Sequence, residues 1–293
     1  MWRQTIKRHA KGLVTRISAA IIEEVIRPSY RAISDRLQVF SSPRQQAPHP
    51  QQDGAVHSRE DLYEALYEHH GAVQDEALAV GGPDFDLTGR IELGILLAEG
   101  LKPKDTVFDF GCGTGRLAVQ LIPCLVNGRY IGVDIAQSML DKARPLIAHR
   151  IPNPTCEIVL RKDTSRRFFC GDGEVDIVCA FSVFTHMEHE DAYQYLLDGL
   201  RITRPGGKFI FSCLPMSLPS VHGIFVDSSR AELSERWSRI RSVTTSVDLM
   251  ESISRLAGWK ILRWYRGDEV NIPMPDSREM RALGQSTCVL QKD

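Results

Sequence analysis

The sequence predicts an α/β protein with a doubly wound, mostly parallel sheet and helices on both faces. Short apolar runs alternate with helical patterns from residue 88 onward, and such alternation is typical of right-handed βαβ units. A glycine-rich run, Gly111-Cys112-Gly113-Thr114-Gly115, stands between the first strand and the helix that follows it. The alternation breaks after residue 213 and resumes near the C-terminus, where we expect the last strands of the sheet.

Each element is predicted from its own spacing of apolar residues. Helical spacing predicts helices over residues 60–80, 88–100, 116–126, 138–148, 191–202 and 247–257. Leu62, Leu66 and Ala77 are expected to face inward in the first helix, and Gly100 to end the second. Short apolar runs predict strands over residues 106–110, 130–134, 156–160, 175–181, 208–213, 259–264 and 287–291.

The N-terminal part predicts two segments outside the α/β domain. Residues 1–40 predict a basic, amphipathic helical extension, with nine basic and three acidic residues among the first 50. Three interpretations fit it: a plain extension, a helix that contacts a membrane surface or a partner protein, and an organelle-targeting peptide, which its acidic residues disfavour. Residues 41–58 are rich in proline and glutamine and predict a flexible linker. Residues 59–293 then form the domain.

Composition excludes several classes of protein. Hydrophobic residues make up 43% of the 293, which is enough to bury a core and rules out a wholly disordered chain. Residues 51–293 hold 27 basic and 34 acidic residues, so we expect no nucleic-acid partner. The seven cysteines form no Cys-x-x-Cys and no metal-ligand spacing with the nine histidines. We therefore expect a reducing, cytoplasmic location, with the membrane surface as the alternative, and no metal.

The glycine run separates two kinds of nucleotide cofactor. Asp134 ends the next strand, where a carboxylate can bond both hydroxyls of a ribose. A nicotinamide fingerprint needs a third glycine where this chain has Arg116. Asp109 just before the loop would repel a pyrophosphate but could orient an ammonium group. A ligand with a ribose and a cationic amino-acid end fits best, and S-adenosyl-L-methionine is that ligand.

At four places the sequence resembles a class I (Rossmann-like) S-adenosylmethionine-dependent methyltransferase of the small-molecule type. These places are the Asp-x-Gly-x-Gly-x-Gly run at 109–115, Asp134 in Ile-Gly-Val-Asp-Ile, the strand at 175–186, and Arg-Pro-Gly-Gly at 204–207. The resemblance covers residues 87–293. It implies a seven-stranded sheet in the order 3-2-1-4-5-7-6, with the last strand antiparallel.

The resemblance also implies a set of cofactor-binding residues. Three glycines, Gly111, Gly113 and Gly115, would surround the amino-acid part, and Asp109 would hold its ammonium group directly or through water. The other members are Asp134 on the ribose, Ile135 and Met139 beside the adenine, Asp163 on the adenine amino group, and Phe181 at the end of strand four. An ordinary loop carboxylate is the alternative interpretation of Asp163.

The acceptor of the methyl group is expected at the end of strand four. The run from Phe181 to His189 has neither the Asn-Pro-Pro-aromatic signature of amino methyltransferases nor the paired glutamates of arginine methyltransferases. A small-molecule acceptor remains: a sugar, lipid, quinone-like ring or natural product with an O, N or C nucleophile. His186 is the candidate base. Its alternative roles are to cap the following helix or to bond the backbone, and His222 is a distant second candidate.

Residues 214–245 are too long for a simple connection and are expected to form a lid or acceptor wall. Four arginines there, Arg230, Arg236, Arg239 and Arg241, flank Trp237. They predict either a pocket for an anionic ring compound or a solvated helix face. Two other functions stay open for the chain: a non-catalytic cofactor-binding or assembly protein, and an NAD(P)-dependent oxidoreductase.

Overall fold

The computed structural model describes residues 59–74, residue 80 and residues 82–293. It leaves out the side chains of Arg59, Glu60, Pro83, Leu233 and Trp237. The predicted extension at 1–40 and linker at 41–58 lie outside the described residues, as does Ala77. The part that is described belongs to one compact unit.

The sheet follows the predicted topology. Its strands are β1 (Thr106–Phe110), β2 (Arg129–Asp134), β3 (Glu157–Lys162), β4 (Val175–Ala180), β5 (Thr203–Pro215), β6 (Thr244–Thr245), β7 (Lys260–Tyr265) and β10 (Ser286–Gln291). A separate hairpin pairs β8 (Ile272–Pro273) with β9 (Met280–Arg281). The main sheet has the order β3-β2-β1-β4-β5-β10-β7. The strands β1 to β5 are parallel, and β10 is antiparallel to both neighbours. Because β7 and β10 are the sixth and seventh long strands, the order 3-2-1-4-5-7-6 is confirmed.

Helices cover both faces of this sheet. They are α1 (Arg59–Val73), α2 (Phe85–Ala98), α3 (Ala118–Leu121), α4 (Gln137–Arg150), α5 (His189–Ile202), α6 (Pro219–Arg230), α7 (Leu233–Trp237) and α8 (Val247–Leu256). Successive strand residues point to opposite faces, so Val107 joins a core with Ile95 and Leu121. Its neighbour Phe108 joins a second core, which α5 and α8 help to build.

Most elements differ from their predicted bounds by one to three residues, and the helix predicted over 60–80 ends at Val73. Two larger differences have a visible cause. The helix predicted over residues 116–126 is only α3 followed by a 3₁₀ turn at Ile122–Cys124, because Pro123 lacks the N–H that a longer helix would use. Strand β5 begins five residues before its predicted start. Thr203 pairs with Val175 of β4. The carbonyl of Lys292 accepts the N–H of Gly206, and the N–H of Lys292 donates to the carbonyl of Gly207, so the Pro-Gly run joins the ladder.

Candidate functional site

The glycine loop lies at the carboxyl end of β1, at the edge where α1 also lies. The loop is held to the next strand by Gly111 and Cys112, whose N–H groups both donate to the carbonyl of Val133, at 2.8 and 2.9 Å. Gly111, Gly113 and Gly115 have φ of 72°, 56° and 93°, which glycine adopts without the steric cost of a Cβ. The loop conformation therefore requires the three predicted glycines.

Neighbouring side chains press closely on two of these glycines. A Cβ on Gly113 would lie 2.5 Å from Cγ1 of Val80, and one on Gly111 would lie 2.5 Å from Cγ2 of Val183. Any larger residue would push these side chains away from the loop. Side chains from two segments, one after α1 and one after β4, thus pack against the backbone of the loop.

Asp134 is buried at the end of β2, where it was predicted. Its Oδ2 accepts the N–H of Gly113 at 2.8 Å, and its Oδ1 accepts the N–H of Ala136 at 2.9 Å. Burial raises the pKa of this carboxyl to about 6, although the backbone hydrogen bonds oppose the shift. The carboxylate therefore ties the glycine loop to the start of α4, at the place expected for a ribose.

Asp109 lies beneath the loop and is 3% exposed. Its Oδ2 accepts the hydroxyl of Tyr130 at 2.7 Å, and its Oδ1 is 3.7 Å from the thiol of Cys179. Burial raises the pKa of Asp109 to about 7, while the Tyr130 hydrogen bond opposes the shift. Both carboxylate oxygens thus have partners within the sheet, and the predicted contact with an ammonium group stays a prediction.

The residues predicted beside the adenine form a small cluster against α1. Met139 is 2% exposed and packs with Ala136, and the partly buried Tyr67, Val80 and Ile135 pack against this pair. Phe181, the last predicted member, is buried in the core on the α2 face of the sheet. The structure brings Ile135 and Met139 together but places Phe181 in a different cluster.

Asp163 provides a test of whether an adenine fits here. Its N–H donates to the carbonyl of Asp134 at 3.0 Å, so it lies next to the predicted ribose site. Oδ1 accepts the N–H of Ser165 at 2.9 Å. Its other oxygen, Oδ2, is buried and has no hydrogen-bond partner among the described residues. An unsatisfied buried acceptor is costly, and an adenine amino group would satisfy it. The residues present therefore fit the cofactor.

The helix α1 contributes contacts that the sequence did not reveal. Glu68 accepts hydrogen bonds from the backbone N–H and the hydroxyl of Ser138 at 3.2–3.3 Å. Lys162 at the end of β3 pairs with Glu64 at 2.6 Å. The Lys142 ammonium donates to the carbonyls of Gly71 and Gln74. These contacts hold α1 over the start of α4, beside the predicted adenine site.

Arg116 occupies the position that a nicotinamide fingerprint gives to its third glycine. Its guanidinium forms a buried ion pair with Glu92 of α2 and donates to the carbonyl of Val80. Arg116 therefore holds Val80 against Gly113. Nothing in the pattern around Glu92 predicted this pair, since the two residues are 24 positions apart.

A cleft next to this crevice contains His186. It lies between α1, the segment after β4 and the segment before β6. Its lining is mainly apolar and aromatic: Leu62, Tyr63, Leu66, Tyr67, His186, Glu188, Arg239, Ile240, Arg241 and Val243. Leu62 and Leu66 thus face inward as predicted. Small ligands bind in such concave, apolar sites with a few polar groups.

His186 is oriented by the backbone. Its Nδ1 is 2.7 Å from the carbonyl oxygen of Arg241, and a carbonyl can only accept, so Nδ1 carries the proton and Nε2 carries the lone pair. The ring of Tyr67 meets the imidazole edge-on at 6.3 Å. Burial lowers the pKa of His186 to about 4, while the Arg241 hydrogen bond opposes the shift.

Of the two alternative roles of His186, the structure contradicts one and supports the other. Helix α5 has Glu188 as its N-cap, without a side-chain cap, so the capping role is wrong, whereas the bond to a backbone carbonyl is present. His222 is exposed, and its ring lies 2.9 Å from the carbonyl of Met216. It is not among the residues that line the cleft.

The four arginines of the 214–245 segment lie in different surroundings, and Arg236 on α7 is partly buried. Arg239 and Arg241 line the cleft, and Arg241 pairs with Glu188 at 2.8 Å. Arg230 is exposed and lies 3.7 Å from Asp227. The side chain of Trp237, which was predicted to lie among them, is outside the described residues. A solvated face therefore describes Arg230, while Arg239 and Arg241 belong to the cleft.

The topology, the glycine loop and the acidic ends of β1 and β2 define a class I, Rossmann-like methyltransferase fold. Residues 107–207 match the family described as a methyltransferase domain. The chain is 30% identical over 117 residues to an uncharacterized methyltransferase of Schizosaccharomyces pombe, across 36% of this chain and 39% of that protein. It therefore spans well under half of that relative. These findings confirm the predicted resemblance to S-adenosylmethionine-dependent methyltransferases.

Solved structures share the fold. Magnesium protoporphyrin IX methyltransferase from Synechocystis PCC 6803 with bound SAH superposes with a TM-score of 0.54 at 15% identity, over 95% of this chain and 100% of that one. A methyltransferase in complex with the Haloferax volcanii Trm112 methyltransferase activator gives a TM-score of 0.55 at 19% identity, over 77% and 96%. Within the described ranges, no helix has the length and apolar character to cross a membrane.

Proposed function

We propose that this chain binds S-adenosyl-L-methionine at the carboxyl edge of β1 to β3 and transfers its methyl group to a small molecule bound beside His186. The observation that carries the proposal is the position of His186, which lines a largely apolar cleft next to the glycine loop. When bound, the cofactor supplies an electrophilic methyl group. The chain must then orient the acceptor and take up its proton.

The cofactor side of the proposal rests on complementary polar groups. The buried Oδ2 of Asp163 would accept the adenine amino group, and Asp134 would bind the ribose hydroxyls in addition to its backbone donors. Met139 and Ile135 supply the apolar surface that a purine ring needs. Gly113 allows the loop its positive φ, which an L side chain would strain. Tyr67 packs against this cluster, so we expect α1 to cover the bound cofactor.

The acceptor side rests on the cleft. Tyr63, Tyr67, Leu66 and Val243 provide surface for an apolar or ring-containing molecule. Arg241 pairs with Glu188 at 2.8 Å, and Arg239 lies 3.8 Å from Glu235, so these groups add little net charge to the cleft. An acceptor of low net charge with a proton-bearing nucleophile fits these groups better than a polyanion.

His186 would accept the proton that the nucleophile loses. Its tautomer presents Nε2 as the base, and its low pKa keeps the ring neutral at physiological pH. A conjugate acid with a pKa near 4 makes a weak base. His186 therefore suits an acceptor that becomes acidic as the new bond forms, and we expect a contribution at the lower end of what general bases supply.

Calorimetric titration with S-adenosyl-L-methionine and with NADH tests the cofactor assignment directly. We expect saturable binding of the first and none of the second. Transfer is then tested by measuring the S-adenosylhomocysteine formed from the cofactor in the presence of each member of a panel of phenols, quinols, sugars and lipids. Tight cofactor binding with no turnover of any compound in the panel would favour the non-catalytic alternative. Binding of NADH without binding of S-adenosyl-L-methionine would overturn the proposal.

A further inference from the structure

The chain leaves β4 through a residue in a conformation that is unusual for it. Ser182 has φ of +60°, the left-handed region that non-glycine residues other than asparagine and aspartate rarely adopt. It is one of two such non-glycine residues in the part of the chain that the structure describes, and the other is Asn127. Such conformations persist only where the surrounding structure holds them.

A closed ring of hydrogen bonds holds Ser182. Its N–H donates to Oγ of Ser212 at 2.7 Å, and that hydroxyl donates to Oε1 of Gln285 at 2.6 Å. Nε2 of Gln285 donates back to Oγ of Ser182 at 3.1 Å. Ser212 is fully buried on β5, and Gln285 directly precedes β10. Three strands of the sheet thus converge on one turn, and we refer to Ser182, Ser212 and Gln285 as the serine–glutamine clamp.

The residues after Ser182 reach both halves of the site. Val183 places Cγ2 where a Cβ on Gly111 would clash, so it lies against the glycine loop. The carbonyl of Val183 then accepts the N–H of His186 at 3.0 Å, which closes a turn. The direction in which the chain leaves Ser182 consequently determines the contact with the loop and the position of the imidazole.

We propose that the serine–glutamine clamp is a positioning device: it holds the turn after β4 so that Val183 supports the cofactor loop while His186 stays in the acceptor cleft. This inference rests on the proposed function for its cofactor half. One of its two measurements does not depend on the proposed function, because the surroundings of His186 can be followed by NMR without any ligand.

The test removes the clamp while it keeps side-chain length. Gln285→Met loses all the amide hydrogen bonds. Gln291→Met is the matched control, since Gln291 is the last residue of β10, which Gln285 precedes, and its amide lies 3.3 Å from the carbonyl of Gly206. We expect Gln285→Met to weaken S-adenosylhomocysteine binding about tenfold by calorimetry, the effect of releasing one left-handed residue. The imidazole pKa of His186, followed by NMR, should rise toward about 6.5. Gln291→Met should change neither.

Rescue separates positioning from general stability. Glycine adopts the conformation of Ser182 without strain. Ser182→Gly in the Gln285→Met background should therefore restore the affinity for S-adenosylhomocysteine to within about twofold of the wild type and return the pKa of His186 to its wild-type value.

If Gln285→Met does not fold, Ser182→Ala and Ser182→Gly replace it. Ser182→Ala should weaken binding and shift the pKa of His186, and Ser182→Gly should do neither. Wild-type affinity and an unchanged His186 titration in Gln285→Met would overturn the clamp. If the wild type fails to bind S-adenosylhomocysteine, the proposed function falls, and the titration alone still decides the clamp.

Discussion

The imidazole of His186 is tied to the backbone of Arg241, whose carbonyl oxygen lies 2.7 Å from Nδ1. The two residues are 55 positions apart, and the bond joins the segment after β4 to the segment before β6. Because it selects the tautomer of His186, it also decides which nitrogen can act as a base. The proposed role of His186 as a base therefore depends on a contact between two loops.

The first prediction concerns the pH dependence of turnover. Burial lowers the pKa of His186 to about 4, so the base is already neutral above about pH 5 and its protonation should abolish turnover only near pH 4. An imidazole with an ordinary pKa would instead give an inflection between about pH 6 and 7. A pH–rate profile of the wild type measures this inflection.

His186→Ala should lower turnover about 10²-fold, and His222→Ala is the control. Equal rates for the two variants would exclude His186 as the base.

The second prediction concerns the pH dependence of cofactor affinity. Asp134 must be ionised to accept both ribose hydroxyls, and burial raises its pKa to about 6. Affinity for S-adenosyl-L-methionine should therefore fall as the pH drops below about 6. Asp134→Ala should weaken binding at least about tenfold, because a charge-assisted pair is lost. Circular dichroism verifies that the variant is folded, and unchanged affinity in a folded variant would refute the ribose assignment.

The third prediction concerns Asp163. Replacing its carboxylate by an amide in Asp163→Asn offers a donor where the adenine amino group needs an acceptor. We expect cofactor affinity to fall about tenfold, the effect of one lost hydrogen bond to a charged group. Thermal stability should stay the same or rise, since Oδ2 has no partner among the described residues. If the variant loses stability and keeps its affinity for the cofactor, Asp163 is an ordinary loop carboxylate.

The fourth prediction concerns the stability of the fold. Burial raises the pKa of Asp109 to about 7, above the value of about 3.9 in an unfolded chain. The folded state thus keeps a proton that the unfolded state releases, so the stabilisation is complete below about pH 4 and is lost as the pH rises toward 7. Asp109→Asn should flatten this slope in urea titrations at several pH values. The exposed Asp141→Asn is the control, and an equal slope in both would disprove the assignment.

The fifth prediction concerns the N-terminal segments. Deleting residues 1–58 should leave the melting temperature and cofactor affinity nearly unchanged, because the predicted linker separates the extension from the domain. Deleting residues 1–74 should weaken cofactor binding, because it removes Tyr67 and Glu68 from the side of Met139 and Ser138. Calorimetry on both truncations checks this. A large loss of stability in the shorter truncation would show that the extension packs on the domain.

Local patterns were sufficient for the framework of the site. The strand Thr106–Phe110 has its predicted bounds, and the positive φ values of the glycine loop follow from residues that are adjacent in the chain. Asp134 and Asp163 could be placed because each ends or follows a strand, and parallel strands end at the same edge of a sheet. These features depend on periodicity and on residue type, which a sequence displays directly.

The tertiary structure alone decided how the site is assembled. The pair of Arg116 and Glu92, the cover that α1 provides, and the clamp between Ser182 and Gln285 all join residues far apart in the chain; the last pair is separated by 103 positions. Burial also moved the pKa of His186 below its ordinary range, although the hydrogen bond to Arg241 opposes that shift. Such effects depend on distances in space, and a single sequence carries no periodic signal for them.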